Sequence, residues 1–180
     1  MRCSWAKSDL SIEYHDHQWC KETHDDHVLF KMLVLEGMQA GLSWETILRK
    51  EKAYEEAFDH FDYEKIACYS KEKIESLYNA EGIIHNRLKV NSIVSNAIAF
   101  MKVQKEFGSF DHYIWSFVDF KVIDHHYKTT QEIPASDELS ETISKDLKKR
   151  GFKFVGPVIV YSYLQAIGIY NDHLIDCEWR

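Results

Sequence analysis

The stretch from Val28 to Leu48, VLFKMLVLEGMQAGLSWETIL, limits the possible folds more than any other part of the chain. Its apolar run Met32-Leu33-Val34-Leu35 predicts a buried helix over 28–38, yet the run ends on a carboxylate, Glu36. A buried acid loses hydration and its pKa rises unless a cation or hydrogen-bond donors compensate. Either Glu36 is paired with an internal Arg or Lys, or it faces a site that takes a cationic or donor-rich ligand. Gly41 breaks the helical pattern, Leu42 is left on the turn, and Ser43 is placed to cap a second helix that starts at Trp44.

The rest of the chain is helical in the same sense. Its 180 residues include only 7 Gly and 2 Pro, too few for many tight turns, and 45% hydrophobic residues suffice for a core. Apolar spacing predicts an amphipathic helix over 44–58, two short helices capped by Asp62 and Ser70, a long helix over about 86–106, and one from Ser109 through Phe117. Residues 118–135 read as the longest irregular connection, with too few β-branched residues to make a sheet. The reading is an all-α fold of eight or more helices in one domain spanning 1–180, with the termini, about 1–27 and 169–180, packed together.

Charge and cysteine usage narrow the function. A formal net charge of −7 argues against an indiscriminate polyanion binder, although Lys145, Lys148, Lys149, Arg150 and Lys153 form a local basic cluster. The four cysteines, Cys3, Cys20, Cys68 and Cys177, are widely and irregularly spaced, and no apolar leader precedes them. Reduced thiols in the cytoplasm are expected. No segment reaches the length of a membrane span, and the most apolar window, 154–164, is interrupted by Pro157 and Ser162.

Near the C-terminal end, a helix capped by Ser136 and closed by Lys148, Lys149 and Arg150 meets Gly151-Phe152-Lys153-Phe154-Val155-Gly156, and Pro157 opens the next helix. Glycines at both ends of a short hairpin let backbone N–H groups converge beside a helix N-terminus, which suits an anion. An ordinary glycine-capped hairpin has the same pattern. The flanking lysines favour phosphate, and such a grip on a DNA backbone reads no base sequence.

The two ends of the chain are rich in metal-capable side chains. His173 and Cys177, four apart, would share one face of a helical turn, and a mixed His/Cys pair suits zinc. Cys3 with His15 or His17 could complete a Cys2His2 set; surface histidines are the plainer alternative.

Five segments taken together carry a resemblance. They are Tyr14-His15-Asp16 with Trp19; Leu35-Glu36-Gly37 with Gln39-Ala40-Gly41-Leu42-Ser43-Trp44; Gly82-Ile83-Ile84 with Arg87 and Lys89; 147–156; and Asn171-Asp172-His173 with Cys177. In order and spacing the chain resembles the 3-methyladenine DNA glycosylase I family, within the helix-hairpin-helix DNA glycosylase superfamily. The resemblance implies an all-α helix-hairpin-helix glycosylase fold and a structural zinc on Cys3, His15, His173 and Cys177 that joins the termini. It implies monofunctional excision of 3-methyladenine from double-stranded alkylated DNA, by a monomer without membrane association. It also implies Glu36 as the catalytic acid contacting the base, with Tyr14 and Trp44 in the same pocket and Trp5 and Trp19 as walls. Leu42 becomes a candidate wedge into the duplex, and Lys149, Gly151, Lys153 and Gly156 candidate backbone contacts. The chain departs from the family pattern at Cys20, where a glycine usually follows the Trp, and at Met38, where a polar residue is common.

Asp172, beside His173, is a further acid that could act in catalysis or merely cap a helix. Two other readings compete: a non-enzymatic DNA-binding module built on the hairpin, and a zinc-stapled protein whose aromatic cleft binds a peptide or small cation.

Overall fold

The computed structural model describes all 180 residues. Nine helices make up almost all of the regular structure: α1 (Asp9–His17), α2 (Asp26–Gln39), α3 (Trp44–Ala57), α4 (Tyr63–Ala67), α5 (Lys71–Leu77), α6 (Arg87–Phe107), α7 (Phe110–Ser116), α8 (Glu138–Lys149) and α9 (Pro157–Ala166). The all-α expectation holds. The exceptions are short turns of 3-10 helix at Asp59–Phe61 and Thr130–Glu132, and a parallel two-residue bridge between β1 (Ile123–Asp124) and β2 (Tyr170–Asn171). That bridge ties the irregular 118–135 connection to the C-terminal segment.

Helix α2 lies at the centre. Its residues Leu29, Phe30 and Met32 through Met38 are all buried, and it packs against α3, α6, α7 and α9. The 21-residue α6 adds an aromatic stack in which Phe100 meets Phe30 and Phe110, with ring centroids 5.2 and 4.2 Å apart. Burying these faces supplies on the order of 25 cal/mol per Å2 of apolar surface, the main force holding so few turns together.

The helix boundaries follow side-chain caps. Asp25, Ser43, Asp62, Ser70, Asn86 and Ser109 each accept backbone N–H groups of the helix that follows. One expected cap is displaced: α8 is capped by Asp137, not Ser136, because Asp137 accepts from the Ser140 N–H while the Ser140 hydroxyl takes the Asp137 N–H, a reciprocal box that Ser136 cannot make. Helix α9 stops at Ala166, short of Gly168.

The α2–α3 turn has its own clamp. Gly41 takes φ +78°, which a side chain would resist, and leaves Leu42 40% exposed on the outside of the turn. Lys89, near the start of α6, is buried, and its Nζ donates to the Met38 and Ala40 carbonyls at 2.7 and 2.8 Å, satisfying carbonyls at the end of α2. Its basic side chain therefore serves the fold.

Helices α8 and α9 pack together across a connection at 150–156. Gly151 has φ +98°, the Ser144 hydroxyl donates to the Val155 carbonyl at 2.6 Å, and Asn96 brackets Lys153 through its N–H (2.8 Å) and C=O (3.1 Å). Phe152 and Val155 point inward, while Lys149, Gly151 and Lys153 are exposed. Arg150 does not join this exposed set: it bonds Asp146 and Glu106 and lies over the rings of Phe107 and Tyr113.

Candidate active site and metal centre

Glu36 is 3% exposed, in the last turn of α2, where the helix dipole also disfavours a carboxylate. No arginine or lysine pairs with it. Its Oε2 is buried without a hydrogen-bond partner, and burial alone raises its pKa to about 8. Only one other side-chain polar atom in the chain is buried and unpartnered, Nε1 of Trp44. An orphaned acceptor costs about 1–3 kcal/mol, as does an orphaned donor, so two on one wall mark a place kept for a ligand.

Both residues line a cavity of about 340 Å3, together with Trp5, Tyr14, Trp19, Gln39, Ser162 and Gln165. The size is at the small end for small-molecule sites. Tyr14 is held with its ring centroid 5.0 Å from that of Trp44, and its hydroxyl pKa is pushed well above 10 by burial and then by the Glu36 charge, so it stays a neutral O–H donor. Trp5 and Trp19 meet edge to face at 5.0 Å. All five residues expected to surround the base, Glu36, Trp5, Tyr14, Trp19 and Trp44, are thus brought together.

Sequence reasoning missed Ser4, Gln39, Ser162, Gln165, Thr130 and Ile133, which complete the lining. Gln39 stands three residues after Glu36, so helical spacing could have found it. Ser162 and Gln165 are related in the same way on α9. Thr130 and Ile133 come from the irregular connection, where no periodicity pointed to them.

The second cluster lies directly behind the tryptophans. Cys3, His15, His173 and Cys177 are all buried, and their ligand atoms lie within 4.8 Å of one another. Cys177 Sγ is 3.6 Å from His15 Nε2 and 3.4 Å from His173 Nδ1, and Cys3 Sγ is 3.9 Å from His173 Nδ1. The outer ring nitrogens are already committed. His15 Nδ1 sits 2.7 Å from Asp16, which Arg2 holds through Nε at 2.8 and 2.9 Å, and His173 Nε2 sits 3.3 Å from the Trp19 carbonyl. Each imidazole is thereby turned to present a lone pair to the cysteines, the arrangement a metal needs from its supporting groups.

Burial lowers the His173 pKa to about 4, keeping the ring neutral as a ligand must be. Burial raises the Cys3 thiol to about 11, a penalty that a bound cation would offset. The donor set therefore fits a four-coordinate metal. The choice left open between histidines is settled by position: His15 is buried in the cluster, while His17 is 55% exposed and turns to Glu13 and Trp179. His173 and Cys177 do meet, but across a turn closed by the Cys177 N–H to Leu174 carbonyl bond, not on a helix.

Asp172 neither caps a helix nor reaches the cavity. It is completely buried and accepts hydrogen bonds from His125 Nδ1, Tyr161 Oη and Gln165 Nε2 at 2.7, 2.8 and 2.7 Å. Cys20 has φ +57°, a left-handed conformation that favours glycine, and its Sγ accepts the Asp172 N–H at 3.4 Å.

Known proteins share this arrangement. A model of the methyladenine glycosylase family matches residues 5–180. DNA-3-methyladenine glycosylase 1 of Escherichia coli is 44% identical over 177 residues, covering 98% of this chain and 95% of that protein. A structure described as the structural basis of 3-methyladenine recognition by 3-methyladenine DNA glycosylase I from Staphylococcus aureus superposes with a TM-score of 0.96 at 42% identity, covering 99% and 95% of the two chains. A tyrosine-to-phenylalanine variant of a 3-methyladenine DNA glycosylase I, solved in complex with 3-methyladenine, also gives 0.96, at 41% identity and 99% and 96% coverage. With its sequence matched from Trp5 to the last residue and its backbone superposed over nearly its full length, the chain belongs to the methyladenine glycosylase family.

Proposed function

We propose that this protein is a monofunctional DNA glycosylase that hydrolyses the N-glycosidic bond of 3-methyladenine in double-stranded alkylated DNA, acting as a single-domain monomer. The observation that carries the reading is Glu36: a buried, unpartnered acid among Trp5, Tyr14, Trp19 and Trp44 at a cavity. The named relatives act in the same sense.

The base is reached by flipping it from the stack, and a damaged base that pairs and stacks poorly is extracted at lower cost. Leu42, exposed on the α2–α3 turn, fills the space left in the duplex. The α8–α9 connection acts as the hairpin of a helix-hairpin-helix element: the Gly156 N–H, with Lys149 and Lys153, holds phosphates without reading bases, while Gly151, whose own N–H donates to the Lys148 carbonyl at 3.1 Å, makes the positive-φ turn.

A 3-methylated adenine nucleotide carries positive charge, which the faces of Trp and Tyr attract. Glu36, costly to ionise in the empty pocket, is stabilised as an anion when this cation arrives, so the charge pair selects the damaged base over neutral adenine. That contact fades as the bond breaks, because the positive charge leaves the base, so it favours binding more than chemistry. In the chemical step the C1′–N9 bond breaks with its electron pair going to N9, and water adds its oxygen to C1′ and gives up one proton to solvent. The base departs neutral, and Glu36 steadies positive charge developing on the sugar. No lysine lines the cavity, which supports simple hydrolysis without a Schiff base.

Cys3, His15, His173 and Cys177 would hold zinc. Bound there, it supplies a structural crosslink, since four protein ligands leave no position for water.

The test is chromatography of free bases released from methylated DNA, with zinc measured on the same samples. The protein should release 3-methyladenine, and Glu36→Gln should lower kcat/KM on the order of 100-fold while retaining zinc. No release by the unchanged protein, or equal release by Glu36→Gln, overturns the reading.

A further inference from the structure

Gln165 lines the cavity from α9, yet its amide nitrogen is not available to a ligand. Nε2 donates to Asp172 Oδ2 at 2.7 Å, and Asp172 is a buried acceptor that Tyr161 and His125 approach as well. Because an ionised carboxylate only accepts, the amide cannot rotate to place its oxygen there. Its backbone is fixed too, since the Gln165 carbonyl accepts the Cys20 N–H at 2.9 Å, next to the wall residue Trp19. Oε1 is the polar atom left to face the cavity.

We propose that Asp172 is a positioning residue that holds the Gln165 amide in one orientation, making Gln165 a specificity determinant whose carbonyl oxygen accepts a hydrogen bond from an amino group of the bound base. This inference rests on the base-binding reading of the cavity. With Glu36 it gives the site two acceptors, which suits the 6-amino group of an adenine. A 6-oxo purine would oppose an oxygen to Oε1 and leave that acceptor unpaired, and buried groups left unpaired are what let a site reject a close analogue. Were Gln165 free to flip, it could serve either base and the discrimination would be lost.

The experiment compares binding of free 3-methyladenine and its 6-oxo counterpart, 3-methylhypoxanthine, by tryptophan fluorescence, alongside base release from methylated DNA. The unchanged protein should prefer the amino compound. Gln165→Met, which keeps length and removes the amide, should lower the affinity ratio about tenfold by weakening 3-methyladenine binding while leaving the 6-oxo compound unaffected or improved. Asp172→Asn should lower the ratio several-fold with zinc content unchanged, because an asparagine can face Gln165 with either end. Tyr161→Phe, which spares the Gln165–Asp172 bond, should keep it.

An unchanged ratio in Gln165→Met, or equal losses for both compounds, overturns the inference. Should Asp172→Asn lose zinc or unfold, the Gln165→Met ratio decides alone. Failure of the unchanged protein to release 3-methyladenine would instead sink the activity on which the inference rests.

Discussion

The ammonium of Lys89 lies 2.7 Å from the carbonyl oxygen of Met38, across 51 residues of sequence, and closes the end of the helix that carries Glu36. Helix α6 thereby fixes the last turn of α2 and, through the Ala40 carbonyl, the turn bearing Leu42. Lys89→Met should leave both carbonyls without this donor and cost about 2 kcal/mol, seen as a lower denaturant midpoint with an unchanged slope. Base release should weaken as well, because Glu36 and Leu42 lose their common support. A variant with unaltered stability would show that water replaces the ammonium at no cost.

The pocket acid sets a pH dependence of stability. Burial raises the Glu36 pKa from 4.5 to about 8, so the folded chain holds a proton there that the unfolded chain gives up. Below pH 4.5 both states are protonated and the group contributes nothing. As pH climbs from 4.5 toward 8 the unfolded state gains progressively, and above 8 the full penalty is present. Glu36→Gln should therefore match the unchanged protein in Tm near pH 4.5 and exceed it by roughly 5–10 °C at pH 9. A constant difference across that range would mean that the acid is solvated in the folded state.

Metal removal should loosen the pocket as well as the termini. Trp19 packs against the His15 and His173 rings, with centroids 5.8 and 4.7 Å away, and Trp5 packs on His15 at 5.3 Å. Cys177→Ser or His15→Ala should lose zinc and lower Tm by roughly 10 °C or more, with a red shift in tryptophan emission. His17→Ala should keep both zinc and Tm. Equal zinc loss in the His15 and His17 variants would refute the ligand assignment.

On the DNA side, Lys149→Ala and Lys153→Ala should each weaken binding equally for all sequences and reduce the slope of log affinity against log salt by about one. Gly151→Ala should weaken it too, since φ +98° strains any side chain, although a Cβ there would meet no neighbour. Unchanged salt dependence in both lysine variants would move the phosphate contacts elsewhere.

Much of this was legible in the sequence because local chemistry and tertiary structure agree. Apolar spacing marked α2, α3 and α6 to within about two residues, and Glu36 stood out because an acid ending a fully apolar run needs a partner, either an internal cation or a ligand. What escaped was tertiary. Asp172 could be read as a cap or a catalyst because the partners that define it, His125, Tyr161 and Gln165, lie on other segments. The role of Lys89 could not be read locally, because the α2 terminus that it closes lies 51 residues away in the chain. The 173–177 spacing does bring His173 and Cys177 into one cluster, but on a turn and not a helix, since a turn brings residues four apart equally close. The departure at Cys20 has a physical meaning in its backbone: a left-handed residue is most easily glycine, and the sulfur bond to Asp172 offsets part of that strain.

The paired termini carry a consequence for biosynthesis. Cys3 and His15 precede His173 and Cys177 by all the helices α2 to α9, so the tryptophan walls cannot be braced until those helices have been made. A chain made only through α9 can assemble much of its helical core yet still lacks the two ligands that brace the recess.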